Sequence, residues 1–441
     1  MQSRASGGLS RRRVLGGLGA MSLGAVVMSA CGRSGNGGGG NGVSGSIEFL
    51  HWDPIGAVGQ AFRSVAERFT ADHPDVSVNF QSAPIGTYAA TLTSQIRSDS
   101  LPDLVSLLAY QSNRPAWQGV QELTAGDAGD LLSELTAWDA AAIVPGPGDT
   151  YFGIPLGIQG AVWYYSKPAY ERAGLDPEQP PETWDDFAQV NEALRGAGID
   201  PIGMGAVDHV TAGFMWHTLL AQYYAADAAE VARFVDKDLL PNDEGMRQTL
   251  AAIRETYTRG WWQEGFEGKA LANVQDDFMA GTVGNVPGLV GGVLDWATWD
   301  AQMEDGSYGA FPAPLLPDAP AGERRLYAEA HEVLGISANS ENAETAAEFA
   351  RFLAARDSQL LLLTEGRQVP NRTDVDIAGE LDSAGGIAVA ELFANTPRGG
   401  NPRNWLTPPA REVIGQRLTQ AITDDEIDAM LDQATEEQLR A

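Results

Sequence analysis

Residues 153–187 read GIPLGIQGAVWYYSKPAYERAGLDPEQPPETWDDF. The run Ala161–Tyr165 is almost wholly apolar and aromatic, the composition of a strand covered on both faces. A lysine-proline turn leads into a short helix, Pro168–Ala173, which Gly174 stops. After a proline-rich loop, Thr183 with Asp186 three residues on has the spacing of a helix N-cap with an acid in the first turn. Taken alone, these signals describe a βα unit with a strand deep in a core.

Upstream of it, Ser46–Trp52 reads as a first strand, followed by a turn at Asp53-Pro54. A helix then runs from about Val58 to Ala71, with Val58, Phe62, Val65 and Phe69 on one face. Val76–Phe80 alternates as a second strand, Tyr88, Leu92 and Ile96 form a stripe on the next helix, and Leu101–Leu108 is a third strand. This β-α-β-α-β succession implies a parallel sheet with helices on its faces. Ligands of such sheets sit at the carboxyl ends of strands. Those ends deliver Trp52-Asp53, Gln81-Ser82 and Tyr110-Gln111. Downstream, Thr211–Trp216 opens an aromatic-rich helix, and further helices are expected over Glu244–Gly260 and Ala343–Ala355.

The opening stretch resembles the crossing segment of the family 1, maltose-binding-protein-like substrate-binding proteins of sugar ABC transporters. Gly153, Pro155, Tyr164, Tyr165, Lys167, Gly174, Pro181, Thr183, Trp184 and Phe187 fit that pattern; Ser166 stands where Asn is usual. Pro102-Asp103, Phe278–Asn285, Tyr308–Pro314, His331–Ser337 and Gly366–Pro370 resemble further family segments in the family's order. The chain departs at Pro287–Gly292, before Asp295-Trp296, where the family normally carries a Gly-Ser-Trp that reaches the ligand.

The resemblance implies an α/β, periplasmic-binding-protein-like fold: two α/β lobes with parallel-rich sheets, joined by a multi-strand hinge. Lobe 1 would comprise 46–158 plus 310–357, and lobe 2 would comprise 159–309 plus 358–441. It also implies capture of a mono- or oligosaccharide between the lobes and delivery to the permease subunits of an ABC importer, by a monomer that needs no cofactor and catalyses nothing. Sugar rings present apolar C–H faces that pack on aromatic rings, and hydroxyls that need fixed polar partners. Trp52, Asp53, Ser82, Tyr110 and Gln111 are therefore the candidate ligand contacts of the first lobe, and Phe214, Trp296 and Trp405 those of the second. Gln159 precedes the crossing strand, and His331 is expected in a loop that faces the cleft in this family. Trp163, Trp184, Trp216 and Trp262 read as core.

At the amino terminus, Arg11-Arg12-Arg13 precedes an apolar, glycine-rich run ending in Met28-Ser29-Ala30-Cys31. A basic segment, a moderately apolar core and small residues make a signal peptide over 1–30. Paired arginines suit a twin-arginine signal, and three in a row also suit a general secretory one. The run is short and weak for a membrane span. Cys31, the single cysteine, resembles a lipobox cysteine that takes a lipid and becomes the mature terminus. The Gly/Asn/Ser-rich linker that completes 31–45 would span roughly 20 Å as a flexible coil. The implied location is the outer face of the cell membrane.

With 59 acids against 29 bases the formal charge is −30, which repels nucleic acid and anionic headgroups. The five histidines show no metal spacing, and neither a Gly-x-Ser-x-Gly nor a phosphate loop occurs. The alternative from another class is an extracellular glycoside hydrolase or lyase lipoprotein. It requires two carboxylates facing each other across a cleft and predicts sugar turnover.

Overall fold

The structure, a computed structural model, describes residues 43–52, 56–83, 85–107, 118–141, 150–207, 210–226, 228–290 and 296–440. The expected signal segment, Cys31, Asp53, Tyr110, Gln111 and Asp295 lie outside the described residues.

The first part of the chain forms β1 (Gly45–His51), α1 (Ala57–Asp72), β2 (Val76–Ser82), α2 (Ile85–Arg97) and β3 (Leu104–Leu107). As the pattern predicts, β1 pairs in parallel with β2 on one side and β3 on the other. Phe62, Val65 and Phe69 of α1 are fully buried against Ile47 and Phe49 of β1.

The stretch that opened the reading becomes β4 (Ile154–Ser166), α3 (Lys167–Arg172) and α4 (Trp184–Gly196). Thr183 and Asp186 close a full capping box: the Thr183 hydroxyl accepts from the Asp186 amide, and the Asp186 carboxylate accepts from the Thr183 amide at 3.0 Å. Ser166 caps α3 by accepting from the Ala169 amide, so the departure from Asn keeps the capping chemistry. β4 starts seven residues before the expected Ala161 and is buried throughout its 13 residues. Its alternate side chains enter different cores: Trp163 and Tyr165 join one, Val162 and Tyr164 the other.

The chain continues through β5 (Asp200–Ile202), α5 (Val210–Leu220), α6 (Glu244–Thr258), β6 (Val283–Val290), α7 (Trp296–Gln302), β7 (Tyr308–Phe311) and β8 (Leu326–Ile336). It closes with α8 (Ala343–Ala354), α9 (Arg356–Gly366), α10 (Ala384–Asn395), α11 (Pro402–Trp405), α12 (Pro408–Asp424) and α13 (Ile427–Arg440). Trp163, Trp184, Trp216 and Trp262 are core residues as expected. Each indole N–H is satisfied within the fold, by Thr218, Glu255, Thr249 and Thr256 respectively.

Among the described residues one sheet runs in the order β2-β1-β3-β8-β4-β6-β5, with β7 beside β4 and the short strand Arg398–Gly399 beside β8. Parallel pairs lie toward its two ends, while β3-β8, β8-β4 and β4-β6 in the middle are antiparallel. The long strands β4 and β8 thus belong to both α/β halves of the sheet. They meet at an irregularity: Ala330 pairs with Ile158 and Glu332 with Leu156, leaving Gly157 opposite His331 outside the ladder. Gly157 takes φ +65°, a conformation open to glycine at little cost. The amide of Ile158 donates instead to the Val369 carbonyl at 2.7 Å, and that of Gly157 to the Asn371 side chain at 3.1 Å. A third segment, Gln368–Asn371, therefore crosses where β4 and β8 separate.

Candidate functional site

At the carboxyl end of β1, the half-buried Trp52 contacts two imidazoles. His51 stacks on it at 5.4 Å between ring centroids, and His331 lies 5.4 Å away on the other strand at a 44° tilt. The structure thus brings Trp52 and His331 together. His331 sits on β8, however, and not in a loop, and is almost fully buried. The Trp52 Nε1 is buried without a hydrogen-bond partner among the described residues. Ser82, paired in register with His51, is exposed.

Behind the two imidazoles lies Glu332, fully buried on β8. Its Oε2 is 3.2 Å from His51 Nε2 and also accepts from the Ser106 hydroxyl of β3. Its Oε1 accepts from Gln368 Nε2 at 3.2 Å, and that same amide lies 2.9 Å from His331 Nδ1. Burial opposes the charge on Glu332. The facing His51, together with the nearby His331, outweighs it and holds the carboxyl well below the usual carboxylate range.

Three residues back along the strand the chemistry inverts. Glu329, also buried, is paired in register with Gln159 of β4. Its Oε1 accepts from Gln159 Nε2 at 2.9 Å, from Asn404 Nδ2 of α11 at 3.0 Å and from the Tyr327 hydroxyl. Burial pushes the Glu329 carboxyl up to about 7 despite those donors, and the charge of Asp139 adds to the rise. Gln159 is therefore engaged in a hydrogen-bond cluster tying β4 and β8 to the carboxyl-terminal helices.

Beside that cluster lies a basic one. Arg403 Nη1 is 2.6 Å from His217 Nε2, and the His217 ring meets Tyr327 edge-on at 5.4 Å. Burial, then the charges of Arg403 and Arg411, push the His217 pKa well below its ordinary value, so its ring is neutral and accepts from the guanidinium. Phe214, three residues earlier on α5, is buried at this same place. Trp405 is half-buried, its ring 5.5 Å from Phe234. Trp296 is fully buried, with the Arg367 guanidinium 5.4 Å above its ring. Trp296 belongs to the hydrophobic cluster against which Trp52 packs, while Trp405 packs against the other large cluster.

Sequence reasoning did not single out Glu329, Glu332, Gln368, Arg403 or Asn404. Among 59 acids, a signal exists only in context: Glu329 and Glu332 interrupt an otherwise apolar strand, Leu326–Ile336. Buried carboxylates survive there only with partners, so their presence predicts a polar cluster.

Comparison with known proteins bears on the whole arrangement. The model of the bacterial extracellular solute-binding protein family matches residues 53–360. The sn-glycerol-3-phosphate-binding periplasmic protein of Shigella flexneri is 28% identical over 166 residues, covering 33% of this chain and 34% of that protein. The chain thus spans about a third of the length of the curated relatives it matches. In overall fold it is similar to a chitin oligosaccharide binding protein, at TM-score 0.72 and 18% identity, covering 90% of this chain and 98% of the other. It is also similar to maltose-bound MalE3 of T. maritima, at TM-score 0.67 and 19% identity, covering 89% and 98%. These likenesses establish a two-lobed, periplasmic-binding-protein-like α/β fold. The chain belongs to the family of bacterial extracellular solute-binding proteins.

Proposed function

We propose that this protein captures a carbohydrate in a cleft between two lobes and hands it to the permease of an ABC importer. The carrying observation is the crossing itself. β4, β8 and Gln368–Asn371 meet at one irregular point, with a half-buried tryptophan at the strand end beside it. Such a crossing is a hinge, and a ligand touching both lobes favours the closed form by contacts that the open form lacks. The lobe division of 46–158 plus 310–357 against 159–309 plus 358–441 is part of this reading. Asp53, Ser82, Tyr110 and Gln111 are proposed to complete the ligand shell around Trp52, with Phe214, Trp296 and Trp405 approaching from the second lobe. An exported lipoprotein anchored through Cys31, monomeric and without catalytic activity, completes the reading.

A second reading follows from the basic cluster. Arg403 and Arg411, with His217 fixed as a neutral acceptor, set positive charge beside the crossing of a strongly acidic protein. That arrangement suits an anionic group, and the glycerol-phosphate-binding relatives bind a phosphorylated polyol by name. The choice is tested by thermal unfolding of the 46–441 chain with maltotriose, chitobiose and sn-glycerol 3-phosphate, because ligand bound only to the folded state raises Tm. A neutral sugar that raises Tm and lowers the radius of gyration in solution scattering supports the first reading. A rise with sn-glycerol 3-phosphate alone, abolished by Arg403→Gln, supports the second. Sugar consumed during the assay supports the hydrolase alternative.

A further inference from the structure

Trp52 owes its setting to neighbours that do not themselves reach solvent. His51 is fully buried and His331 almost so, and both rings contact the indole, at 5.4 Å each. An imidazole contacted only by other rings has two flipped orientations of similar packing; a hydrogen-bond partner selects one. Glu332 is linked to both rings, to His51 directly and to His331 through Gln368. Glu332 meets His51 Nε2 at 3.2 Å through Oε2, and lies 3.6 Å from His331 Nδ1 through Oε1. Gln368 closes the second arm, bonded to His331 Nδ1 at 2.9 Å and to Glu332 Oε1 at 3.2 Å. The carboxylate is in turn held by the Ser106 hydroxyl, and the Ser106 carbonyl accepts from Tyr88 at 2.6 Å.

We infer that Glu332 is the positioning residue of the Trp52 platform: one buried carboxylate orients His51 directly and His331 through Gln368, the two imidazoles in contact with the indole, and so fixes the ring on which a ligand would stack. This rests on the reading of Trp52 as a ligand contact, but the geometry makes a claim that holds without any ligand. A stacking surface is worth most when its orientation is set before the ligand arrives. A carboxylate linked to two rings, one of them through Gln368, couples their orientations, so weakening it loosens both ring contacts of the indole together. Four chain segments contribute: β1 through His51, β3 through Ser106, β8 through His331 and Glu332, and the crossing segment through Gln368.

The test isolates the signal of Trp52 as the near-ultraviolet circular dichroism of a protein minus that of the same protein carrying Trp52→Phe. This difference spectrum is recorded without ligand in four backgrounds: wild type, Glu332→Gln, Ser106→Ala and Thr183→Ala. Glu332→Gln is expected to flatten the Trp52 band, and Ser106→Ala to reduce it partly. Thr183→Ala, which weakens a remote helix cap, is expected to leave it at wild-type strength. An unchanged band in both Glu332→Gln and Ser106→Ala overturns the inference, as does an equal loss in Thr183→Ala, which would mark a general loosening. Should Glu332→Gln fail to fold, Ser106→Ala decides alone, because it removes one hydroxyl from the same carboxylate and leaves the charges in place. Binding of maltotriose and sn-glycerol 3-phosphate to Trp52→Phe is measured separately. Wild-type affinity there removes Trp52 from the ligand site while leaving the positioning result intact.

Discussion

Replacing Glu329 by glutamine should change how stability depends on pH, by an amount the structure lets one work out. The carboxyl is buried among Tyr327 of its own strand, Gln159 of β4 and Asn404 of α11, with Asp139 close enough to repel its charge. Its pKa lies at about 7 in the folded protein against an ordinary value of 4.5. A raised folded value means that the folded state holds the proton more tightly than the unfolded chain. Its contribution is therefore fully present below 4.5, declines as pH rises toward about 7, and is gone above that. The rise corresponds to about 3 kcal/mol. Glutamine stays neutral throughout, so Glu329→Gln should lack this slope. Relative to wild type, the variant should gain about 3 kcal/mol between pH 4.5 and pH 8, whatever constant offset its extra amide protons introduce. Urea unfolding of both proteins at the two pH values measures it, and all other titrating groups cancel in the double difference. A variant-minus-wild-type difference that is equal at the two pH values refutes the reasoning, and with it the claim that Glu329 is largely neutral in the acid range.

Three further outcomes are expected. Gly157→Ala forces an L-residue into a left-handed conformation, worth about 1–2 kcal/mol, and drives its new methyl into Gln368, only 2.7 Å away; urea unfolding at wild-type stability would contradict the hinge irregularity. Thr183→Ala removes the hydroxyl that accepts from the Asp186 amide and donates to its carboxylate, leaving only the backbone half of the capping box; it should cost about 1 kcal/mol, and the Asp186 carboxyl, held low first by that hydroxyl, should titrate nearer its ordinary range. Cys31→Ala should release the protein from the membrane fraction, and a variant that sediments with membranes after its signal is removed rejects the lipid anchor.

What could be read from the chain alone, and what could not, divides along physical lines. The α4 capping box was legible because three-residue spacing is local chemistry, and the first βαβαβ unit because its periodicities are clean. The start of β4 was not: Pro155, Gly157 and Gly160 look like breakers, yet each lies inside the strand. Glycine is needed at 160 because the Tyr327 carbonyl comes within 2.4 Å of where a Cβ would sit. That approach is tertiary and leaves no local mark. The loop expected at His331 came from the resemblance alone, and the polar Glu329, His331 and Glu332 gave no local signal of a buried strand. Only partners from β1, β3, β4 and α11 make that run a buried strand. Trp52 could be picked from its place at a strand end, whereas the carboxylate behind it could not, since nothing in sequence joins residue 332 to residue 51.

The fact that β4 feeds one core with Trp163 and Tyr165 and another with Val162 and Tyr164 constrains how this chain can vary over evolutionary time. Inserting or deleting one residue within Ile154–Ser166 would exchange the faces of everything beyond the lesion. It would send Trp163 toward the space shaped for Tyr164 and strip two cores of their aromatic wedges at once. Substitutions there can be absorbed one at a time, but changes of length cannot. Divergence in length is left to the connections between strands, while the 13-residue crossing keeps a fixed count even as its residues drift.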